Sequence, residues 1–177
     1  MKKIISLIAF MVFVHAGALS VLQAKAAPKP VFARVMLALK GCSSCAHCRT
    51  NLRQALKEGS KAQKVSLGNG KVEMVFSQPS TLDIHGIVTS MGTMGMKDLE
   101  AVDVLVEMNG RIETKHGIKV FVADSTGQEL TLDIAEDTAG LLGHTGVHVW
   151  IKAVAQGWER KDKEITLKVR DLKEIKG

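Results

Sequence analysis

Residues 31–59 read VFARVMLALKGCSSCAHCRTNLRQALKEG, and the fold turns on how this stretch is parsed. Val31, Ala33, Val35, Leu37 and Leu39 alternate with Arg34, Met36 and Lys40, the period of a strand with one buried face. Gly41 ends that strand. Beyond the cysteines, Cys48, Leu52, Ala55 and Leu56 fall at i, i+4, i+7 and i+8, one face of a helix that Glu58-Gly59 closes. The stretch is therefore a strand, a sulfur-rich loop and a helix.

Working outward, Val65 and Leu67, then Val72, Met74 and Phe76, flank Gly68-Asn69-Gly70, a strong hairpin signal. Pro79-Ser80-Thr81-Leu82-Asp83 reads as a helix start, with Ser80 as cap and Asp83 three residues on. Ile84, Ile87, Val88 and Met91 supply its apolar face, and a further strand falls within Leu99 to Met108. The predicted order is β-α-β-β-α-β, with both helices on one face of an antiparallel sheet.

From Val106 onward the pattern is mostly strands. Ile118, Val120 and Val122 are separated by the Asp124-Ser125-Thr126-Gly127 turn from Leu130, Leu132 and Ile134. Glu136 to Gly143 is expected to form a short helix. Val147, Val149, Ile151 and Ala153 follow, and Ile165, Leu167 and Val169 make the last strand. With Arg111-Ile112-Glu113-Thr114 leading into the first of these runs as a strand of its own, five strands with one helical insert resemble a small OB-like β-barrel. The expected class is thus α+β: a ferredoxin-like βαββαβ metal-binding domain over residues 31–105, then an OB-like barrel over 106–177.

Residues 1–26 have the pattern of a secretory signal peptide. Lys2 and Lys3 precede the apolar run Ile4 to Val14, and Ala24-Lys25-Ala26 offers small residues for cleavage. The expected location is the periplasm or the extracellular space. The net charge is +6, and removing Lys2, Lys3 and Lys25 leaves +3. That mild charge, 4% aromatic content and the lack of tyrosine argue against a nucleic-acid partner.

All three cysteines lie within seven residues, as Cys42-Ser43-Ser44-Cys45-Ala46-His47-Cys48. Two thiolates at C-x2-C spacing, on a loop feeding a helix, can close on one soft ion. The helix N-terminus and Arg49 favour the thiolate form. Soft sulfur selects Cu(I), Zn(II), Cd(II) or Hg(II) over magnesium or calcium. An iron–sulfur cluster lacks its fourth cysteine, and Arg49 stands where c-type haem attachment needs histidine. A closed zinc site would recruit His47 as its fourth ligand. A C-x-x-C pair in an oxidising compartment can also act in disulfide exchange.

These residues and this element order resemble the heavy-metal-associated domain of copper chaperones, metal-pumping ATPases and periplasmic mercury-binding proteins. The resemblance implies that Cys45 and Cys48 are the metal ligands. The family pattern is Gly-Met-x-Cys-x-x-Cys, and here its Gly and Met positions hold Cys42 and Ser43. Cys42 then becomes an auxiliary third sulfur.

Two further groups bear on the same chemistry. Ser90-Met91-Gly92-Thr93-Met94-Gly95-Met96 carries thioethers suited to Cu(I), and the family fold would bring Met94 or Met96 towards the cysteine loop. The alternative is that Met91 packs in the core and the others fill a turn. In the second half, His144, His148 and Trp150 offer a possible second Cu(I) site, or merely a rim-packed face.

No general base, nucleophile triad or phosphate loop stands out, so a non-enzymatic role is expected. The leading expectation is an exported protein that binds Cu(I), or else Zn(II) or Hg(II), for trafficking, buffering or detoxification. Its partners would be a membrane metal transporter or another exported metalloprotein. The alternatives are a periplasmic thiol-disulfide oxidoreductase and a non-catalytic partner-binding module.

Overall fold

The computed structural model describes residues 32–41, 45–92, 99–124, 126–134 and 146–175. Its elements are β1 (Ala33–Lys40), α1 (Ala46–Ser60), β2 (Lys64–Gly68), β3 (Lys71–Phe76), α2 (Ile84–Gly92), β4 (Glu100–Lys115), β5 (Ile118–Ala123), β6 (Glu129–Asp133), β7 (His148–Gln156) and β8 (Thr166–Glu174). All eight strands belong to one sheet, in the order β2-β3-β1-β4-β5-β6-β8-β7. An additional β4–β7 pairing closes the last five into a barrel. Every pairing is antiparallel except β6–β8.

This corrects the expected fold class. Among the described residues the fold is mostly β, 52% strand and 20% helix, with a closed five-stranded barrel and two helices. It is not an α+β chain with a ferredoxin-like βαββαβ domain set ahead of a barrel. The elements expected over 31–105 occur in that order but do not close a domain of their own. The reason is the length of β4. Its first half pairs with β1, its middle with β7 and its end with β5, so one strand serves both parts. Residue 105 lies inside it. The helix expected over residues 136–143 lies outside the described residues.

The strands alternate because one face of each is buried. Val35 and Leu37 of β1, Val72, Met74 and Phe76 of β3, and Val104, Val106 and Met108 of β4 point to the core. Leu52, Ala55 and Leu56 of α1 and Ile84, Ile87 and Met91 of α2 supply the helical side. The same cluster continues without interruption into the barrel through Ile112, Phe121, Leu130, Val149, Ile151, Leu167 and Val169. At about 25 cal/mol per Å² of apolar area removed from water, this continuous interior is the main source of stability.

Two local readings are refined, and the turn between β4 and β5 is defined by its backbone. Helix α1 runs through Gly59 to Ser60, and Lys61 caps it in the left-handed region at φ 60°. Gly59 lies within the helix, and a Cβ there would lie 2.7 Å from Ser90 Cβ, so the missing side chain lets α1 approach α2. Helix α2 is capped by Asp83 rather than Ser80: Gly86 N–H donates to Asp83 Oδ1 at 2.8 Å. Between β4 and β5, His116 and Gly117 both have positive φ, 50° and 80°, which is the primed turn that matches strand twist.

Candidate metal and thiol site

Cys45 is the N-cap of α1, with extended backbone at φ −71° and ψ 143°. Cys48 sits in the first turn, so three residues of helix rise bring the two side chains to one end of the cylinder. Their Cα atoms are 5.3 Å apart, and the sulfurs are joined as a disulfide. The N–H of Cys48 donates to Cys45 Sγ at 3.0 Å. Cys45 is exposed and Cys48 half-buried. Cys45 is thus the more exposed residue of the pair, and its sulfur is the one that accepts the backbone hydrogen bond.

The surroundings favour negative charge on sulfur. The first turn of α1 holds no acidic residue. Arg49 follows Cys48 and donates from its guanidinium to the carbonyl oxygen of Leu67 at 3.0 Å, which ties the site to β2. Exposed backbone N–H groups at a helix start carry partial positive charge and stabilise a thiolate when the disulfide is opened.

His47 lies between the cysteines, but its Nε2 is 3.0 Å from Asn51 Nδ2 one turn on. The amide can only donate there, so the ring is held along the helix surface and its Nε2 lone pair is occupied. Sequence spacing gave the signal for this contact, since residues i and i+4 are helix-surface neighbours.

Of the other predicted groups, Cys42, Met94, Met96 and His144 lie outside the described residues. Met91 is buried in the core, on the inner face of α2. His148 and Trp150 share the outer face of β7, and each has its own partner. His148 Nε2 is 2.9 Å from Asp124 Oδ1, and Lys173 Nζ stands 5.0 Å from the Trp150 ring centroid. Among the described residues, no group of three or more His, Cys, Asp or Glu side chains is placed to hold a metal ion. Cys45 and Cys48 are the predicted sulfur ligands that the described residues bring together.

Sequence reasoning missed the contacts that dock α2 on the barrel. Gln128, before β6, clamps the backbone of Leu82: its Oε1 accepts from Leu82 N–H at 2.8 Å and its Nε2 donates to Leu82 carbonyl oxygen at 3.0 Å. No family model matches the chain, and no curated protein and no solved structure matches it. No helix among the described residues is long and apolar enough to cross a membrane.

Proposed function

We propose that this is an exported soft-metal-binding protein that takes up Cu(I), or a related thiophilic ion, through Cys45 and Cys48 once their disulfide is reduced. The observation that carries the reading is the convergence of these two sulfurs at the solvent-exposed N-terminal end of α1. A Cα separation of 5.3 Å lets both sulfurs reach one ion at about 2.3 Å each, after the S–S bond is opened and the side chains rotate. Cys42, three residues before Cys45, is the auxiliary ligand for three-coordinate binding. Zn(II) and Hg(II) are the other ions this donor set suits. The role is trafficking, buffering or detoxification, with a membrane transporter or an exported metalloprotein as exchange partner.

The test is anaerobic titration of the reduced full chain with Cu(I) against a competing chelator, repeated with Zn(II) and Hg(II). One equivalent taken up by the wild type, and lost in Cys45→Ser and Cys48→Ser, supports the reading. Failure to take up any of the three ions stoichiometrically would sink it.

The disulfide itself favours a second reading, a thiol-disulfide oxidoreductase. Here Cys45 thiolate attacks a substrate disulfide, a mixed disulfide forms, and Cys48 displaces the reduced substrate. Turnover in an insulin-reduction assay without metal affinity would select this reading over the first.

A further inference from the structure

A second polar contact between the helical layer and the barrel, besides the Gln128 clamp, is made by His85 of α2. Its Nδ1 lies 2.9 Å from the carbonyl oxygen of Trp158, and its Nε2 lies 3.3 Å from the carbonyl oxygen of Lys163. Both carbonyls belong to the loop over residues 157–165 that joins β7 to β8. Gly157, at φ 80°, turns that loop so tightly that a Cβ there would come within 2.6 Å of Glu164 O. Trp158 packs against the core from the same loop. The two carbonyl oxygens are thus presented from a constrained backbone.

Carbonyl oxygens only accept. A neutral imidazole has one N–H and serves one of them, leaving a lone pair facing the other, whereas an imidazolium donates to both. We infer that His85 is a protonation-sensitive clasp: it fastens α2 to the β7–β8 loop fully when charged and by half when neutral.

The groups around it make the imidazole the part that changes. Asp83 and Lys161 line the same hollow, with Gly86, Thr89 and Ser90. Asp83 is committed to the helix cap. On the loop, Arg160 binds Asp162 at 2.6 Å and holds its carboxyl below the usual carboxylate range, so that pair stays ionised. Carboxylate, ammonium and guanidinium groups ordinarily titrate outside pH 5–8, and imidazole within it. The clasp therefore completes when His85 takes up a proton and loosens when it gives the proton up. Because Ser90 of α2 abuts Gly59 of α1, the fastened helix is the one on which the cysteine-bearing helix rests. None of this depends on what Cys45 and Cys48 bind.

The experiment is hydrogen exchange of the full chain at pH 5.5 and 7.5, corrected for intrinsic rates. Protection of residues 84–92 and 157–165 should be roughly three- to tenfold greater at the lower pH, the order of one hydrogen bond's net contribution. His85→Gln should abolish that difference. Equal protection at both pH values in the wild type, or a difference that survives in His85→Gln, would overturn the inference. A second readout needs no variant: the backbone carbonyl carbon shifts of Trp158 and Lys163 should titrate together with the His85 ring. Shifts that ignore the ring titration refute the clasp.

Discussion

At the scale of single residues, Gly59 shows how a position can defy its local meaning. A glycine after Leu56, Lys57 and Glu58 reads as a helix stop. Here it lies within α1, at the point where Ser90 Cβ of α2 would be 2.7 Å from an added methyl. Gly59→Ala gains up to about 1 kcal/mol in helix propensity. It loses about 1–3 kcal/mol to overpacking. The expected net result is destabilisation of up to about 2 kcal/mol in urea titration, partly relieved by Ser90→Gly in the double variant. If Gly59→Ala stabilises the protein, the contact is not a constraint. Cys45 and Cys48 illustrate the opposite case. Their proximity follows from three residues of separation at a helix start, so the sequence alone shows it.

At the scale of elements, α2 is positioned by polar groups that its apolar pattern does not reveal. Ile84, Ile87 and Met91 fix which face is buried. The start of the helix is set by Asp83, whose side chain accepts from Gly86 N–H, and by the Gln128 amide clamped on Leu82. Asp83→Ala should cost about 1 kcal/mol in thermal or denaturant unfolding, typical of a lost cap. Ser80→Ala, at the position that sequence spacing suggests for the cap, should change stability by no more than a few tenths of that. The reverse ranking would return the cap to Ser80. Ser80 was misleading because cap residues are common in any loop before a helix, and only backbone geometry picks one.

At the scale of the whole molecule, one strand decides the architecture. β4 carries sixteen residues from beneath the helices into the barrel. At Gly110 it is flanked by β5 and β7 at once, opposite Ala123 and Val149. A Cβ at Gly110 would stand 2.4 Å from Val122 O and 2.5 Å from Phe121 Cζ, so barrel closure needs glycine there. Gly110→Ala should destabilise the protein by about 3 kcal/mol, at the upper end of overpacking costs. Because one hydrophobic cluster spans both parts, wild-type unfolding should be a single transition, with helical and aromatic signals coinciding. Two separated transitions would mean that the helical layer and the barrel are independent units.

Much of the strand and helix pattern was readable, because alternation and helical spacing are local consequences of burying one face. The first-half elements and the barrel strands can be read this way residue by residue. What could not be read was the class of fold. The strand-like run from Lys97 to Thr114 already suggests one extended segment shared by both parts, but periodicity only assigns residues to faces and cannot name the partners of Leu105 and Arg111 on either side. The same holds for the clasp at His85, whose partners are 73 and 78 residues away in sequence.

The sequence by itself determined the buried faces and the meeting of Cys45 with Cys48, since both follow from the fixed geometry of strand pleat and helix rise. Tertiary structure alone decided that the strands join in one sheet ending in a barrel, that Gly59 is an approach point and that Asp83 is the cap. Those outcomes depend on close contacts between segments distant in sequence or on which of several local hydrogen bonds forms, and such contacts exist only once the chain has folded back on itself.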